Sequence, residues 1–130
     1  MNSFDNKLPK TTSYWKENEM FFVKHKSFHV TLEEGKAIAE LLQHAFSDTT
    51  TRALIIDNRE AKGVWAQDIN QLWSDIEGID TNNPKKVVTL TNSAIASMQI
   101  NRISRNNNIS SFSRAFFSDL TDEVYDFINS

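Results

Sequence analysis

The sequence predicts an α/β domain: a mixed, mostly parallel sheet of about five strands with about four helices, in the order β-β-α-β-α-β-α-β-α. Two observations carry this. Short apolar runs alternate with longer stretches whose apolar residues recur every three to four positions, the signatures of strands and amphipathic helices. Strands that alternate with helices pair in parallel through right-handed crossovers. At 130 residues the chain fits one domain with a core of its own.

Residues 1–11 are polar and aperiodic, with Lys7, Pro9 and Lys10, and read as a flexible lead-in to a domain spanning 12–130. Residues 13–16 and 19–24 form two strands around a Glu17-Asn18 turn. Thr31-Leu-Glu-Glu34 is a capping box: Thr31 covers an open backbone N–H and Glu34 reaches back to the cap. The helix behind it carries Gly35, Ile38, Leu42, Ala45 and Phe46 on one stripe, with Leu41 beside it. Residues 53–56 are an uninterrupted apolar run, as suits a strand covered on both faces. Trp65, Ile69, Leu72, Trp73 and Ile76 then mark the inner stripe of a second helix, which Gly78 ends. A turn follows at 80–84 and a strand at 87–90. Asn92 or Ser93 caps a third helix running to about Ser104. A last strand covers 112–117. Asp119 opens the final helix, with Leu120, Val124, Phe127 and Ile128 inward and Asp122 and Glu123 in its first turn, where the helix dipole favours negative charge.

Composition removes whole classes of function. There is no cysteine, hence no disulfide framework, iron–sulfur cluster or thiol nucleophile. Lys and Arg number 14 against 17 Asp and Glu, so the net charge of −3 offers no basic platform for nucleic acid or anionic lipid. No apolar run approaches the roughly 20 residues that span a bilayer, and the N-terminus lacks a secretory apolar segment. A cytoplasmic location is therefore expected, without membrane insertion. Three glycines leave none for a phosphate loop, and no cofactor signature is present.

Candidate chemistry is thin. No serine sits in a nucleophile elbow, and no paired-carboxylate pattern stands out, so a non-enzymatic role is expected. His25 and His29 are four apart but bracket a loop rather than lying on a helix, which is the wrong setting for a zinc pair; no metal is expected. Trp65 and Trp73 are accompanied by Asp68, Asp75 and Glu77, which would repel a phosphate backbone, so they read as core or as the edge of an interface. Ligands of open α/β sheets bind beyond the carboxyl ends of the strands. That rule selects Asp57, Asn58, Arg59, Lys62 and Trp65 after one strand and Asn92 and Ser93 after the next, with Arg59 or Lys62 available to an acidic group. Turn-fixing by Asp57 and Asn58, capping by Asn92 and Ser93, and pairing of Arg59 with Asp57 or Glu60 account for the same residue types.

Three segments resemble the SpoIIAA-like branch of the STAS superfamily, the STAS/SEC14-type bacterial domains. They are Ala53-Leu-Ile-Ile-Asp-Asn-Arg-Glu-Ala-Lys-Gly63, Val87-Val-Thr-Leu-Thr-Asn-Ser93, and the stretch from Arg114 through the acidic cap to Ile128. The resemblance implies a small regulatory fold. Its better understood relatives, the anti-sigma factor antagonists, bind a partner kinase and are switched by phosphorylation at the start of the second helix. The matching stretch here, residues 57–66, holds no hydroxyl, so that switch has no acceptor. A STAS-like regulatory or protein-interaction domain is the first expectation, with a protein partner or a homodimer. The SEC14-like alternative is an apolar or amphipathic ligand whose anionic head meets Arg59 or Lys62. Acid concentrated in the second and last helices favours a basic or apolar partner surface. Arg59→Ala with Lys62→Ala is expected to weaken binding at little cost in stability.

Overall fold

The computed structural model describes residues 6–74, 85–106 and 109–130, with Trp73 and Ser74 described in backbone only. Among these residues it has the expected class, α/β with a five-stranded mixed sheet and four helices. In chain order the elements are β1 (Thr12–Glu17), β2 (Met20–His25), α1 (Leu32–Ser47), β3 (Ala53–Asp57), α2 (Gln67–Ser74), β4 (Lys86–Leu90), α3 (Ala94–Asn106), β5 (Ser113–Phe116) and α4 (Asp122–Ile128). The strands lie in sequence order across the sheet. β1 is antiparallel to β2, and every later neighbour is parallel. The hairpin turns on Asn18 and Glu19, both left-handed (φ 52° and 67°), one residue beyond the expected turn. Such turns match the right-handed twist of the two strands they join.

Each crossover from β2 to β5 steps in the same direction, so right-handed connections put α1, α2 and α3 on one face of the sheet. α4, which follows the last strand, packs on the other. Alternation along β2 divides the core accordingly. Phe21 and Val23 join Leu54 beneath Ile38, Leu41 and Ala45 of α1. Met20 and Phe22 join Ile55, Val88, Leu90 and Phe116 against Val124, Phe127 and Ile128 of α4. Side chains such as Ile38, Leu54 and Val88 are fully buried, each contributing about 2 kcal/mol. Leu8 packs against the α1 side of the core and Pro9 is buried.

Local chemistry fixes the helix starts. The Thr31 hydroxyl accepts from the Glu34 N–H at 3.1 Å, and the Glu34 carboxylate accepts from the Thr31 N–H at 2.9 Å. Ser93 Oγ accepts from the Ala96 N–H at 3.2 Å, so Ser93 and not Asn92 caps α3. Two helix starts differ from expectation, and the strand ends by a residue. α4 begins at Asp122 after Thr121, three residues beyond Asp119. The Asp119 carboxylate instead accepts from its neighbour's N–H, Leu120, at 2.7 Å, which holds the chain in a turn. α2 begins at Gln67, which leaves Trp65 outside the helix. Gly63, at φ 86°, turns the chain, and residues 64–66 approach α2 without helical structure. Ile76, Gly78, the turn at 80–84, Asn107 and Asn108 lie outside the described residues, as does the burial of Trp73.

Gly35 is where α1 meets α2. A Cβ built there would stand 2.6 Å from Ile69 Cδ1 and 3.0 Å from Leu72 Cδ1. Gly35→Val is expected to lower stability by about 1–3 kcal/mol through overpacking. Gly35→Ala costs less, because the Ile69 terminal methyl can move and alanine gains about 1 kcal/mol of helix propensity. Urea unfolding midpoints of the two variants check the ranking, and equal midpoints would contradict this packing.

Candidate functional site

At the carboxyl end of the parallel strands the hydrogen-bond ladder continues into the loops. The Asn58 N–H donates to the Leu90 carbonyl at 2.9 Å, and the Thr91 N–H donates to the Phe116 carbonyl at 2.9 Å. These two bonds hold the loops after β3, β4 and β5 side by side. Arg59 then ties the outer two together. Its Nε and Nη2 donate to the two oxygens of Asp57, each at 2.9 Å, and its Nη1 reaches Asp119 Oδ1 at 2.9 Å. The planar guanidinium suits this fork, since it meets a carboxylate with two parallel bonds.

One guanidinium sits between two carboxylates, so the cluster keeps one net negative charge. Burial pushes the Asp57 carboxyl up, but the side-chain and backbone N–H groups of Arg59 outweigh it and hold the group below its ordinary range. Bonding to Asp57 and then to Asp119 holds Arg59 protonated. Asp119 is lowered by the Leu120 N–H and by Arg59. Beside this cluster Lys24 pairs with Glu60. Lys62 is exposed and makes no ion pair among the described residues; its backbone bridges to Ser27 and bonds to Lys26 and Phe28. Arg59 is therefore engaged by two carboxylates of the protein itself.

Next to the cluster lies a cleft of about 290 Å³, lined by Phe28, Asn58, Val64, Trp65, Asn70, Thr91, Asn92, Ala96 and Ile100. Of the residues singled out in the sequence it gathers Asn58, Trp65 and Asn92. Asp57, Arg59, Lys62 and Ser93 fall outside its walls. Trp65 reaches the cleft from the non-helical segment before α2, half-buried, with its ring 4.5 Å from Phe28 and edge-on to His25 at 5.2 Å. Trp65 also packs against the core beneath α1, so an irregular segment delivers it to the layer its helical spacing suggested. Asn58 Oδ1 is buried, with no hydrogen-bond partner among the described residues. Sequence reasoning missed Phe28, Asn70, Ala96 and Ile100 because no motif marks them; they come from three separate stretches, the last two from α3, that meet only in the folded chain. Asp119, expected to cap α4, also becomes the second partner of Arg59.

His25 closes the end of β2 behind Trp65. It is buried, shares a 2.9 Å hydrogen bond between Nδ1 and Thr12 Oγ1, and burial lowers its pKa from 6.5 to about 4. Among the described residues no three His, Cys, Asp or Glu side chains converge as metal ligands. At the opposite end of the sheet the Asp48 carboxylate accepts from the Thr50 N–H at 2.9 Å, from the Thr51 hydroxyl at 2.8 Å and from Lys16 at 3.0 Å. The hydroxyls nearest in sequence to the 57–66 loop are thus engaged at the far pole. No helix among the described residues is long and apolar enough to cross a membrane.

The chain matches no protein-family model, and no curated protein matches its sequence.

Two predictions follow from this geometry. Arg59→Ala strands the mostly buried Asp57 carboxylate and unties two loops. A loss of about 1–2 kcal/mol is expected after allowing for the partial exposure of Arg59, while Lys62→Ala stays within about 0.5 kcal/mol. Denaturant titration at neutral pH separates the two. The second concerns pH. A His25 held neutral in the fold, but protonated in the unfolded chain below pH 6.5, makes the unfolded state bind more protons as pH falls. Its contribution is intact above about pH 6.5 and is lost toward pH 4, reaching about 3 kcal/mol there at 1.36 kcal/mol per pKa unit. Unfolding free energies between pH 7 and 4 should fall accordingly, and His25→Gln should flatten that part of the profile.

Proposed function

We propose that this chain is a non-enzymatic, STAS-like regulatory domain that binds a protein partner through α3 and the neighbouring loop after β3. The observation that carries the reading is the inverted amphipathicity of α3. Its buried residues are Ser97 and Ser104, whereas Ile95 and Met98 are each 68% exposed and Ile103 is 59% exposed. Val64, 78% exposed, flanks the same cleft as Ala96 and Ile100 of this helix.

The helix is attached to the sheet by polar contacts. Ser97 Oγ bonds to Thr91 Oγ1 at 2.7 Å. The Asn101 amide accepts from the Ala115 N–H at 2.7 Å and donates to its carbonyl at 3.0 Å, a pairing that covers the open edge of β5. Anchoring of this kind frees the apolar side chains to face outward, where an exposed apolar patch marks an interaction surface. α3 carries Arg102 and Arg105 and no acidic residue. A partner face that is apolar with an acidic border complements it better than the basic surface expected from overall charge. The resemblance to anti-sigma factor antagonists supports the class of role, and the 57–66 loop without a hydroxyl separates it from phosphorylation at that place.

Photo-crosslinking in cells from a reactive residue placed at Met98 tests the reading. It should give a discrete adduct with one protein, or with a second copy of the chain. Ile95→Asp should abolish that adduct while shifting unfolding by no more than about 0.5 kcal/mol, as for an exposed site. A stable, well-expressed protein that yields no discrete adduct, or an adduct indifferent to Ile95→Asp, would overturn the proposal.

A further inference from the structure

We infer that the cleft beside Asn58 and Trp65 is a binding site for a neutral, planar small molecule that carries an N–H or O–H donor. The cleft adjoins the partner surface through Val64, Ala96 and Ile100, but the inference rests on the cleft's own lining and holds or fails without that reading. Four observations lead to it. The cleft holds about 290 Å³, close to the lower end of the range for small-molecule sites, ~300 Å³. Phe28 and Trp65 supply a paired aromatic wall, and Val64, Ala96 and Ile100 line it with aliphatic surface. Such walls favour a flat apolar ring, which stacks on or packs edge-on to the aromatic side chains.

The polar groups define what the ring carries. Asn58, Asn70, Thr91 and Asn92 line the cleft with amides and a hydroxyl, and none of its lining residues is charged. The buried Asn58 Oδ1 accepts no hydrogen bond among the described residues. An unsatisfied buried acceptor costs about 1–3 kcal/mol, and a ligand donor that turns the Asn58 side chain toward the cleft recovers part of it. An anionic ligand is disfavoured by the same arrangement. The nearest guanidinium, on the residue after Asn58, is already bonded to Asp57 and Asp119. An anion would enter among neutral amides, without a free cation in the cleft wall to offset its desolvation. This narrows the amphipathic-ligand expectation drawn from the sequence: the apolar body fits and the acidic head does not.

The test uses the full chain, uniformly labelled with 15N, and three probes: indole, 1-methylindole and indole-3-carboxylate. The first two differ by the donor alone, and the third adds a negative charge. Indole should give saturable amide shifts at Asn58, Asn70, Thr91 and Asn92. 1-Methylindole should bind at least fivefold more weakly, and indole-3-carboxylate no more tightly than indole. Ala96→Trp fills the cleft and should remove the response. Val64→Trp, at an exposed position on the rim, serves if the first variant does not fold, and should weaken indole at least fivefold. Ile95→Asp, outside the cleft, should leave indole binding unchanged, which separates this site from the proposed partner surface. Absence of saturable shifts up to millimolar indole would overturn the inference. So would equal affinity for indole and 1-methylindole, or indole binding that survives both tryptophan variants.

Discussion

The Asp57–Arg59–Asp119 bridge is the constraint on which the carboxyl end of the sheet depends. β3, β4 and β5 each leave the sheet by a separate loop, joined by two backbone hydrogen bonds and then by a side-chain cross-tie. Arg59 supplies it by holding Asp57 with two parallel bonds and Asp119 with a third. The backbone bonds from Asn58 to Leu90 and from Thr91 to Phe116 lie beneath it. Because the guanidinium sits between two carboxylates, it stiffens the loops and removes a free positive charge from the site at once. The cleft that results is shaped by charge and lined by neutral groups.

Polar anchoring has a second consequence, at α3. A helix on one face of a sheet ordinarily turns its apolar stripe inward, because burial of that stripe is what stabilises its docking. α3 turns serines inward and lets Asn101 pair with the backbone of the edge strand. Ala115 of β5 lies in this small-residue layer, with no bulky apolar side chain of α3 fully buried above it. Helix and strand therefore approach through hydrogen bonds, and Ile95 and Met98 stay largely exposed. α1 shows the ordinary arrangement, with Ile38, Leu41 and Ala45 completely inside.

Much of the architecture was legible because it rests on short-range rules. The capping box at Thr31 and Glu34 fixes the start of α1 from four consecutive residues, and Ser93 does the same for α3. The apolar run after Arg52 reads as a strand covered on both faces, and it lies between β2 and β4. Periodicity misled where an irregular segment imitates a helix. Trp65 stands four residues before Ile69, the spacing of a helical stripe, yet Gly63 turns the chain and α2 starts two residues after Trp65. Asp119 misled similarly: an acidic residue ahead of an amphipathic stretch resembles a cap, but its carboxylate serves the turn before the helix and reaches across to Arg59.

The site divides along the same line. The rule that ligands sit beyond the carboxyl ends of parallel strands picked out Asn58, Trp65 and Asn92, since strand order and direction follow from the alternation of elements. Which side chains share a wall, and which charges cancel, depended on contacts between residues far apart in the chain. Phe28 meets Trp65, Arg59 finds Asp119, and Asn58 keeps a buried oxygen without a partner. By itself, then, the sequence determined the α/β class, the helix starts that local capping defines and the end of the sheet where loops gather, because those depend on neighbours within a few residues. Long-range pairing, which no local pattern encodes, sets the rest: Arg59 bridges Asp57 and Asp119, α3 faces Ile95 and Met98 outward, and the lining of the cleft is uncharged.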